Sequence, residues 1–221
     1  MIDERYGLFI FDWDGTLSTS TTLVRLSSIF KTRYRLDEIL KHKDRYSIPS
    51  ESDAKGISDY IREYGEASMF YSNLYGIYSI FTRPRLREGS KEMLELLKAN
   101  GKKIALFSDS KYYRLMREIT HAKVENEFNL ILSSELVHAY KPSPKGIMLM
   151  AKELGFKVGE CLYVGDMASD VMTAKFAGMD SCAVGGGLDP YNELKEANPT
   201  YLFKNTFELY KDLEKAIGSN P

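Results

Sequence analysis

Short apolar runs that alternate with amphipathic segments are the feature that most constrains how this 221-residue chain can fold. The runs are rich in branched and aromatic side chains and are bounded by charged residues, which is typical of strands buried on both faces. They occupy residues 6–11, 104–107, 130–132, 161–164 and 182–184. Strands of this kind separated by helices predict an α/β fold, with a mostly parallel, Rossmann-like sheet covered by helices on both faces.

Three of the segments between the runs have the apolar spacing of helices, and each is followed by a glycine that can end a helix. These segments are 90–100, 144–154 and 169–177, and the glycines are Gly101, Gly155 and Gly178.

Residues 18–84 break the alternation, because they contain helical spacing but no convincing strand. Tyrosines recur there at helical intervals, for example Tyr60, Tyr64, Tyr71 and Tyr75. They fit the core of a small helical bundle, and the alternative is that some of them line a substrate pocket. The segment is too long for a loop, so we predict a core of 1–17 and 85–221 carrying a helical cap subdomain at 18–84.

Composition and charge narrow the classes of function. With 30 basic and 31 acidic residues, the net charge of −1 offers little attraction to nucleic acid. The N-terminus resembles neither a signal peptide nor a membrane span, so we expect a cytoplasmic protein that does not bind membranes. Cys161 and Cys182 lack metal-ligand or redox spacing, and we expect buried, reduced thiols.

An acidic pair, Asp12 and Asp14, directly follows the first apolar run. Residues two apart in an extended chain point the same way, so both carboxylates are expected to face one space. They would repel each other unless one is protonated or a cation lies between them. The alternative is an ordinary turn, since aspartate and glycine favour turns.

A second pair, Asp166 and Asp170, follows the run at 161–164 and opens a predicted helix. Four residues apart, the two carboxylates would share one helical face, although acids near a helix N-terminus can also be structural. Parallel strands present their ligand groups at their carboxyl ends, where both acidic pairs lie. Carboxylates converging on one point favour a hard cation, and oxygen ligands suit Mg²⁺.

Two polar residues complete the candidate site. Ser108 follows the run at 104–107, where its hydroxyl could hold a phosphate oxygen or could cap a helix. Lys141 precedes a proline that restricts its backbone, and it offers a positive charge to a phosphoryl group or to the aspartates.

In order along the chain, these motifs resemble those of the haloacid dehalogenase superfamily of phosphohydrolases. The matching segments are Phe-Asp-Trp-Asp-Gly-Thr-Leu at 11–17, Ala-Leu-Phe-Ser at 105–108, Lys-Pro-Ser-Pro at 141–144, and Val-Gly-Asp at 164–166 with Asp170. The insert is similar to the helical cap of phosphoglycolate phosphatase and β-phosphoglucomutase relatives. Departures from the family's usual pattern are Thr19 and Ser20 in place of Asp-Ser, and Asp109 in place of asparagine.

The resemblance implies a Mg²⁺-dependent enzyme that hydrolyses a small phosphate monoester, such as one of phosphoglycolate type. It implies that Asp12 attacks phosphorus and that Asp14 acts as acid and then base, while Ser108 and Lys141 bind phosphoryl oxygens. The implied Mg²⁺ ligands are Asp12, the main-chain carbonyl of Asp14, and Asp166, with Asp170 as a direct or indirect support. Dehalogenation is disfavoured, because that branch lacks the second aspartate.

Two alternatives stay open at this point. A phosphomutase would use the same core residues, and a catalytically silent module would bind Mg²⁺ and phosphate without turnover. The substrate and the oligomeric state are left open by the sequence.

Overall fold

The computed structural model describes residues 2, 4–19 and 85–217, whose centre is a six-stranded sheet. Its strands are β1 (Leu8–Phe11), β2 (Lys103–Ser108), β3 (Leu130–Ser133), β4 (Cys161–Gly165), β5 (Asp180–Val184) and β6 (Tyr201–Phe203). They lie in the order β3-β2-β1-β4-β5-β6, and every neighbouring pair is parallel. The predicted α/β class with a parallel sheet is confirmed.

Helices connect the strands. They are α1 (Ser90–Ala99), α2 (Tyr112–Ala122), α3 (Lys145–Leu154), α4 (Ala168–Ala177), α5 (Tyr191–Glu196) and α6 (Thr206–Ile217), with short 3₁₀ turns at Glu125–Glu127 and Val158–Glu160. Helices α1, α3 and α4 follow the predicted segments to within a residue or two. Within the described ranges, no helix is long and apolar enough to cross a membrane.

The sheet is buried on both faces, as the apolar runs predict. In β1, Phe9 and Phe11 point into one hydrophobic cluster, whereas Leu8 and Ile10 point into the other. The first cluster contains apolar side chains of α1, α2 and α6, and the second contains those of α3 and α4. Because successive strand residues face opposite ways, a continuous apolar run is required to cover both faces.

Both cysteines are buried and unpaired, which confirms the expectation of free thiols. Burial raises the pKa of Cys161 to about 12, and burial also raises the pKa of Cys182 well above its ordinary value. Both side chains therefore stay protonated and serve as small apolar core residues.

The two stretches of chain that flank residues 20–84 lie side by side. The Thr19 amide donates to the Arg85 carbonyl at 2.7 Å, and the Arg87 amide donates to the Leu17 carbonyl at 2.9 Å. Between these bonds, Ser18 and Leu86 form an antiparallel bridge. Residues 17–19 and 85–87 are therefore adjacent, whereas the tyrosine-rich pattern between them lies outside the described residues.

Candidate active site

The candidate site lies at the carboxyl ends of β1 and β4, the two central strands of the sheet. Asp12 directly follows β1, and Asp166 directly follows β4. The strand order reverses here, because β1 lies between β2 on one side and β4 on the other. In open α/β sheets this reversal opens the crevice in which ligands bind.

Three aspartates converge at this point. Carboxylate oxygens of Asp12, Asp166 and Asp170 lie within 4.8 Å of one another, and all three residues are buried. The Lys141 ammonium lies beside them, 2.8 Å from Asp12 Oδ1 and 2.7 Å from Asp170 Oδ1. A lysine that is only 5% exposed is unusual, and the two ion pairs account for its burial.

The cluster carries more negative charge than its lysine can balance. Burial raises the pKa of Asp12 well above its usual value, although Lys141 opposes that shift. Burial, with a contribution from Asp170, raises the pKa of Asp166 to about 7. Burial alone would lower the pKa of Lys141, but Asp12 and Asp170 raise it, so this residue stays protonated. Three carboxylates against one ammonium form an oxygen-rich site suited to a hard dication.

Two glycines let the backbone approach Asp166 closely. A Cβ atom on Gly15 would lie 2.2 Å from Asp166 Oδ2, and one on Gly187 would lie 2.1 Å from the same atom. The carboxylate is held by the Thr16 hydroxyl at 2.9 Å and by the Leu188 amide at 2.6 Å. The loop after β5, which contains Gly187, is therefore part of the site.

Asp170 occupies a different position from the one that its spacing suggests. Asp166 precedes α4, so the two residues do not share a helical face as expected. The Asp170 side chain folds back and accepts the amides of Asp166 and Met167 at 3.1 and 2.9 Å. Its other oxygen accepts bonds from Lys141 and, at 3.2 Å, from the Tyr163 hydroxyl. Four donors on one carboxylate fit a support for the cluster better than a direct metal ligand.

The carboxylate of Asp14 has partners of its own. The Arg114 guanidinium contacts both of its oxygens, and the Ser110 hydroxyl donates to Oδ2 at 2.5 Å. Asp12 and Asp14 do not share one cation, because Asp12 pairs with Lys141 and Asp14 pairs with Arg114.

Arg114 is in turn held by a buried acid. Its Nε donates to Glu118 Oε1 at 2.8 Å, and Trp13 Nε1 donates to Glu118 Oε2 at 2.8 Å. Burial raises the pKa of Glu118, and Arg114 opposes that shift. Ser110, Arg114 and Glu118 were not predicted from the sequence. The spacing of Arg114 and Glu118 on α2 could have suggested a pair, but no local signal linked them to Asp14.

Ser108 lies beside the aspartates in the sheet, since β2 pairs directly with β1. It is 1% exposed, and its hydroxyl oxygen accepts the Ser110 amide at 3.1 Å. The alternative of a helix cap does not hold, because α2 begins at Tyr112 after Lys111. The neighbouring Asp109 accepts the Lys141 amide at 3.2 Å and the Ser134 hydroxyl, so it joins two loops of the site.

Comparison with known proteins places this arrangement in a family. The family model of haloacid dehalogenase-like hydrolases matches residues 9–184, which include Ser108, Lys141 and all the aspartates of the site. The chain belongs to the haloacid dehalogenase-like hydrolases. The membership confirms the predicted family and the prediction of an enzyme.

The individual proteins that this chain resembles share about a quarter of its residues or fewer. A protein of Caldanaerobacter subterraneus, provisionally named pyrophosphatase PpaX, is 24% identical over 91% of this chain and 92% of its own length. Phosphoglycolate phosphatase of Haemophilus influenzae is 27% identical over 62% of this chain and 61% of its own length. A crystal structure described as a predicted phosphoglycolate phosphatase from Haemophilus somnus matches with a TM-score of 0.66 and 20% identity, over 94% of this chain and 98% of that one. This last likeness supports the fold.

Proposed function

We propose that this hydrolase is a Mg²⁺-dependent phosphatase that releases phosphate from a small-molecule monoester through an aspartyl phosphate on Asp12. The observation that supports the proposal most strongly is the buried cluster of Asp12, Asp166 and Asp170 against Lys141. Three carboxylates and one ammonium group, placed where the strand order of the sheet reverses, suit the binding of a phosphoryl group together with a dication.

The donor set fits Mg²⁺. Asp12 and Asp166 would hold the ion through carboxylate oxygens, the Asp14 main-chain carbonyl would add a third ligand, and Asp170 would support them from behind. Oxygen ligands and excess negative charge are what this ion prefers. When bound, Mg²⁺ would supply positive charge to the cluster and to the phosphoryl oxygens.

In the first step, an Asp12 carboxylate oxygen attacks phosphorus and the bond from phosphorus to the ester oxygen breaks. Asp14 gives a proton to that leaving oxygen, so the alcohol departs neutral. The phosphoryl group is then carried on Asp12 as an acyl phosphate. Lys141 and Ser108 would bind its oxygens, since Lys141 already lies 2.8 Å from the attacking carboxylate.

In the second step, Asp14 accepts a proton from water as the water oxygen attacks phosphorus. The bond between phosphorus and the Asp12 oxygen breaks, which releases inorganic phosphate and restores the carboxylate. Catalysis of this kind depends mainly on positioning and on neutralising negative charge, and buried charged residues provide both.

The substrate is proposed to be a small phosphorylated metabolite in the cytoplasm. Residues 18–84 would form a helical cap over the site, exclude water and set specificity. The hydrogen bond from the Thr19 amide to the Arg85 carbonyl supports this proposal, because it joins the two ends of the segment close to the loop that contains Asp12 and Asp14. The named relatives make phosphoglycolate and pyrophosphate the first compounds to test.

The test is phosphate release from a panel of phosphate esters and pyrophosphate, with and without Mg²⁺, beside an Asp12→Asn variant. Release that needs both Mg²⁺ and Asp12 is expected, and the rates rank the substrates. Isomerised sugar phosphate with little free phosphate would indicate a phosphomutase instead. Binding of Mg²⁺ and phosphate without any turnover would contradict both enzymes.

A further inference from the structure

The side chain of Arg114 is wholly engaged by protein groups around Asp14. One terminal nitrogen donates to Asp14 Oδ2 at 3.1 Å and to the Ser110 hydroxyl at 2.8 Å. The other donates to Asp14 Oδ1 and to Glu118 Oε2, the latter at 3.2 Å. With Nε on Glu118, all three guanidinium nitrogens have carboxylate or hydroxyl partners.

The contacts form a chain that begins and ends next to the nucleophile. Trp13 and Asp14 are the two residues that come after Asp12 in sequence. Asp14 contacts Arg114, Arg114 contacts Glu118, and Glu118 accepts the indole N–H of Trp13. The Trp13 side chain is fully buried, and the side chains of Arg114 and Glu118 are 13% and 6% exposed. The loop after β1 is therefore fixed to α2 at two successive residues.

We infer that Arg114 is a positioning residue, which fixes the carboxylate of Asp14 for proton transfer, with Glu118 and Trp13 fixing Arg114. The inference rests on the proposed function, because it assigns a role within that reaction. A planar guanidinium bound to both carboxylate oxygens defines the plane of the carboxylate as well as its position. A general acid must lie within hydrogen-bond reach of the leaving oxygen, so its orientation governs its effectiveness.

A substrate-binding role for Arg114 is the competing explanation. It would require the guanidinium to offer free donors to a substrate anion, whereas each nitrogen already donates to a carboxylate. The two roles differ in kinetics: loss of a substrate contact raises KM, whereas loss of positioning lowers kcat.

The first experiment compares Arg114→Met with wild type in Mg²⁺, using p-nitrophenyl phosphate and the best ester of the panel. A misplaced acid is expected to lower kcat for the ester by about 10- to 100-fold with KM changed less than about twofold. The loss should be smaller for p-nitrophenyl phosphate, whose leaving group needs little protonation. Arg114→Lys should recover part of kcat, and Glu118→Gln should lower kcat less than Arg114→Met does.

The matched control is Arg5→Met. It also removes an arginine–aspartate ion pair, with Asp180, but at the opposite end of β1 from the site. Its kinetic constants should equal those of wild type. A fall in kcat of the same size in this control would attribute the effect to general destabilisation and overturn the inference.

A double-mutant cycle makes the decisive comparison. If Arg114 acts through Asp14, adding Arg114→Met to Asp14→Asn should change the residual kcat by less than about twofold. Independent, multiplying losses would overturn the inference, as would an Arg114→Met effect confined to KM. The unfolding midpoints of wild type, the two single variants and the double variant test the contact between Arg114 and Asp14 without an activity assay. If the contact exists, the shifts of the two single variants should not add up to the shift of the double variant. Wild-type protein that releases no phosphate would contradict the proposed function. Additive shifts in the unfolding midpoint would contradict the pairing of Arg114 with Asp14, whether or not the protein is active.

Discussion

Lys141 lies between two buried carboxylates, and its ammonium offsets part of the cost of holding them away from water. Both contacts are under 3 Å, and the residue is nearly inaccessible to solvent. An isolated buried carboxylate would be strongly unfavourable, so the cluster depends on this lysine and on the hydrogen bonds around Asp166 and Asp170.

Replacing Lys141 with methionine should lower the free energy of unfolding by about 3–5 kcal/mol near neutral pH, because it leaves buried carboxylates uncompensated. Mg²⁺ should stabilise the variant more than it stabilises wild type, since the ion would then be the main positive charge. Denaturant unfolding with and without Mg²⁺ measures both effects. Lys152→Met, at an exposed position of α3, is the control and should stay within about 0.5 kcal/mol. Equal stability of the two variants would contradict the account.

Replacing Gly187 with alanine adds one methyl group next to Asp166 and so tests the geometry of the cluster. Gly187→Ala would push a Cβ into Asp166 Oδ2, and a displaced ligand should weaken Mg²⁺ binding by about 10- to 100-fold. Titration calorimetry or the Mg²⁺ dependence of the unfolding midpoint gives the affinity. Gly159→Ala, where nothing lies within 4 Å of the added Cβ, should bind Mg²⁺ as wild type does. Unchanged affinity in Gly187→Ala would argue against Asp166 as a ligand.

At the scale of elements, the site is assembled from strand ends and from helices that hold the loops after them. Helix α6 shows the second contribution: the Thr206 hydroxyl, at its first residue, donates to the Thr16 carbonyl at 2.8 Å. Leu209 and Leu213 of the same helix are buried in the cluster that contains Phe9 and Phe11 of β1. The last helix of the described chain therefore supports the loop that contains Asp12.

Leu209→Ala should lower the free energy of unfolding by about 2–5 kcal/mol, because it opens a cavity beneath β1. Activity per folded molecule should change little at temperatures well below the transition, since Leu209 packs in the apolar cluster that contains Phe9 and Phe11. Chemical denaturation and phosphate release measured on one preparation provide the comparison. Lys211→Ala, on the exposed side of α6, should alter neither quantity measurably.

The sequence predicted the elements whose pattern is local and strong. Continuous apolar runs gave β1 to β5, and stripes ending at glycine gave α1, α3 and α4. Strand β6 was missed because it is only three half-buried residues. Helix α2 was missed because Arg114 and Glu118 look like surface residues in sequence, whereas the fold buries them as a pair.

In the candidate site, too, some residues could be predicted from the sequence and others could not. Aspartates at strand ends can be read from sequence, because parallel strands bring their carboxyl ends to one edge. The partner of Asp14 could not be predicted, because Arg114 lies 100 residues further along the chain. Its contact depends on how α2 packs against the loop after β1, and no short-range pattern encodes that packing.

At the scale of the whole molecule, the charge of the site links folding to pH. The pKa of Asp166 is raised from 3.8 to about 7, so between those values the folded protein holds a proton that the unfolded chain has released. The free energy of unfolding without divalent cation should therefore fall as pH rises from about 4 to 7. Asp166→Asn should reduce that slope, and saturating Mg²⁺ should oppose it. Stability that rises through this window by the same amount in both proteins would contradict the assignment.

The most direct test of an aspartyl phosphate on Asp12 is to trap the phosphorylated enzyme. Enzyme and its best ester are mixed with Mg²⁺, quenched in acid during turnover, digested and analysed by peptide mass. We expect one added phosphoryl group on the peptide that contains Asp12, absent from Asp12→Asn and lost on hydroxylamine treatment, as an acyl phosphate requires. Steady phosphate release, with rapid sampling that finds no phosphoryl group on Asp12 at any time and an Asp12→Asn variant that stays active, would contradict it.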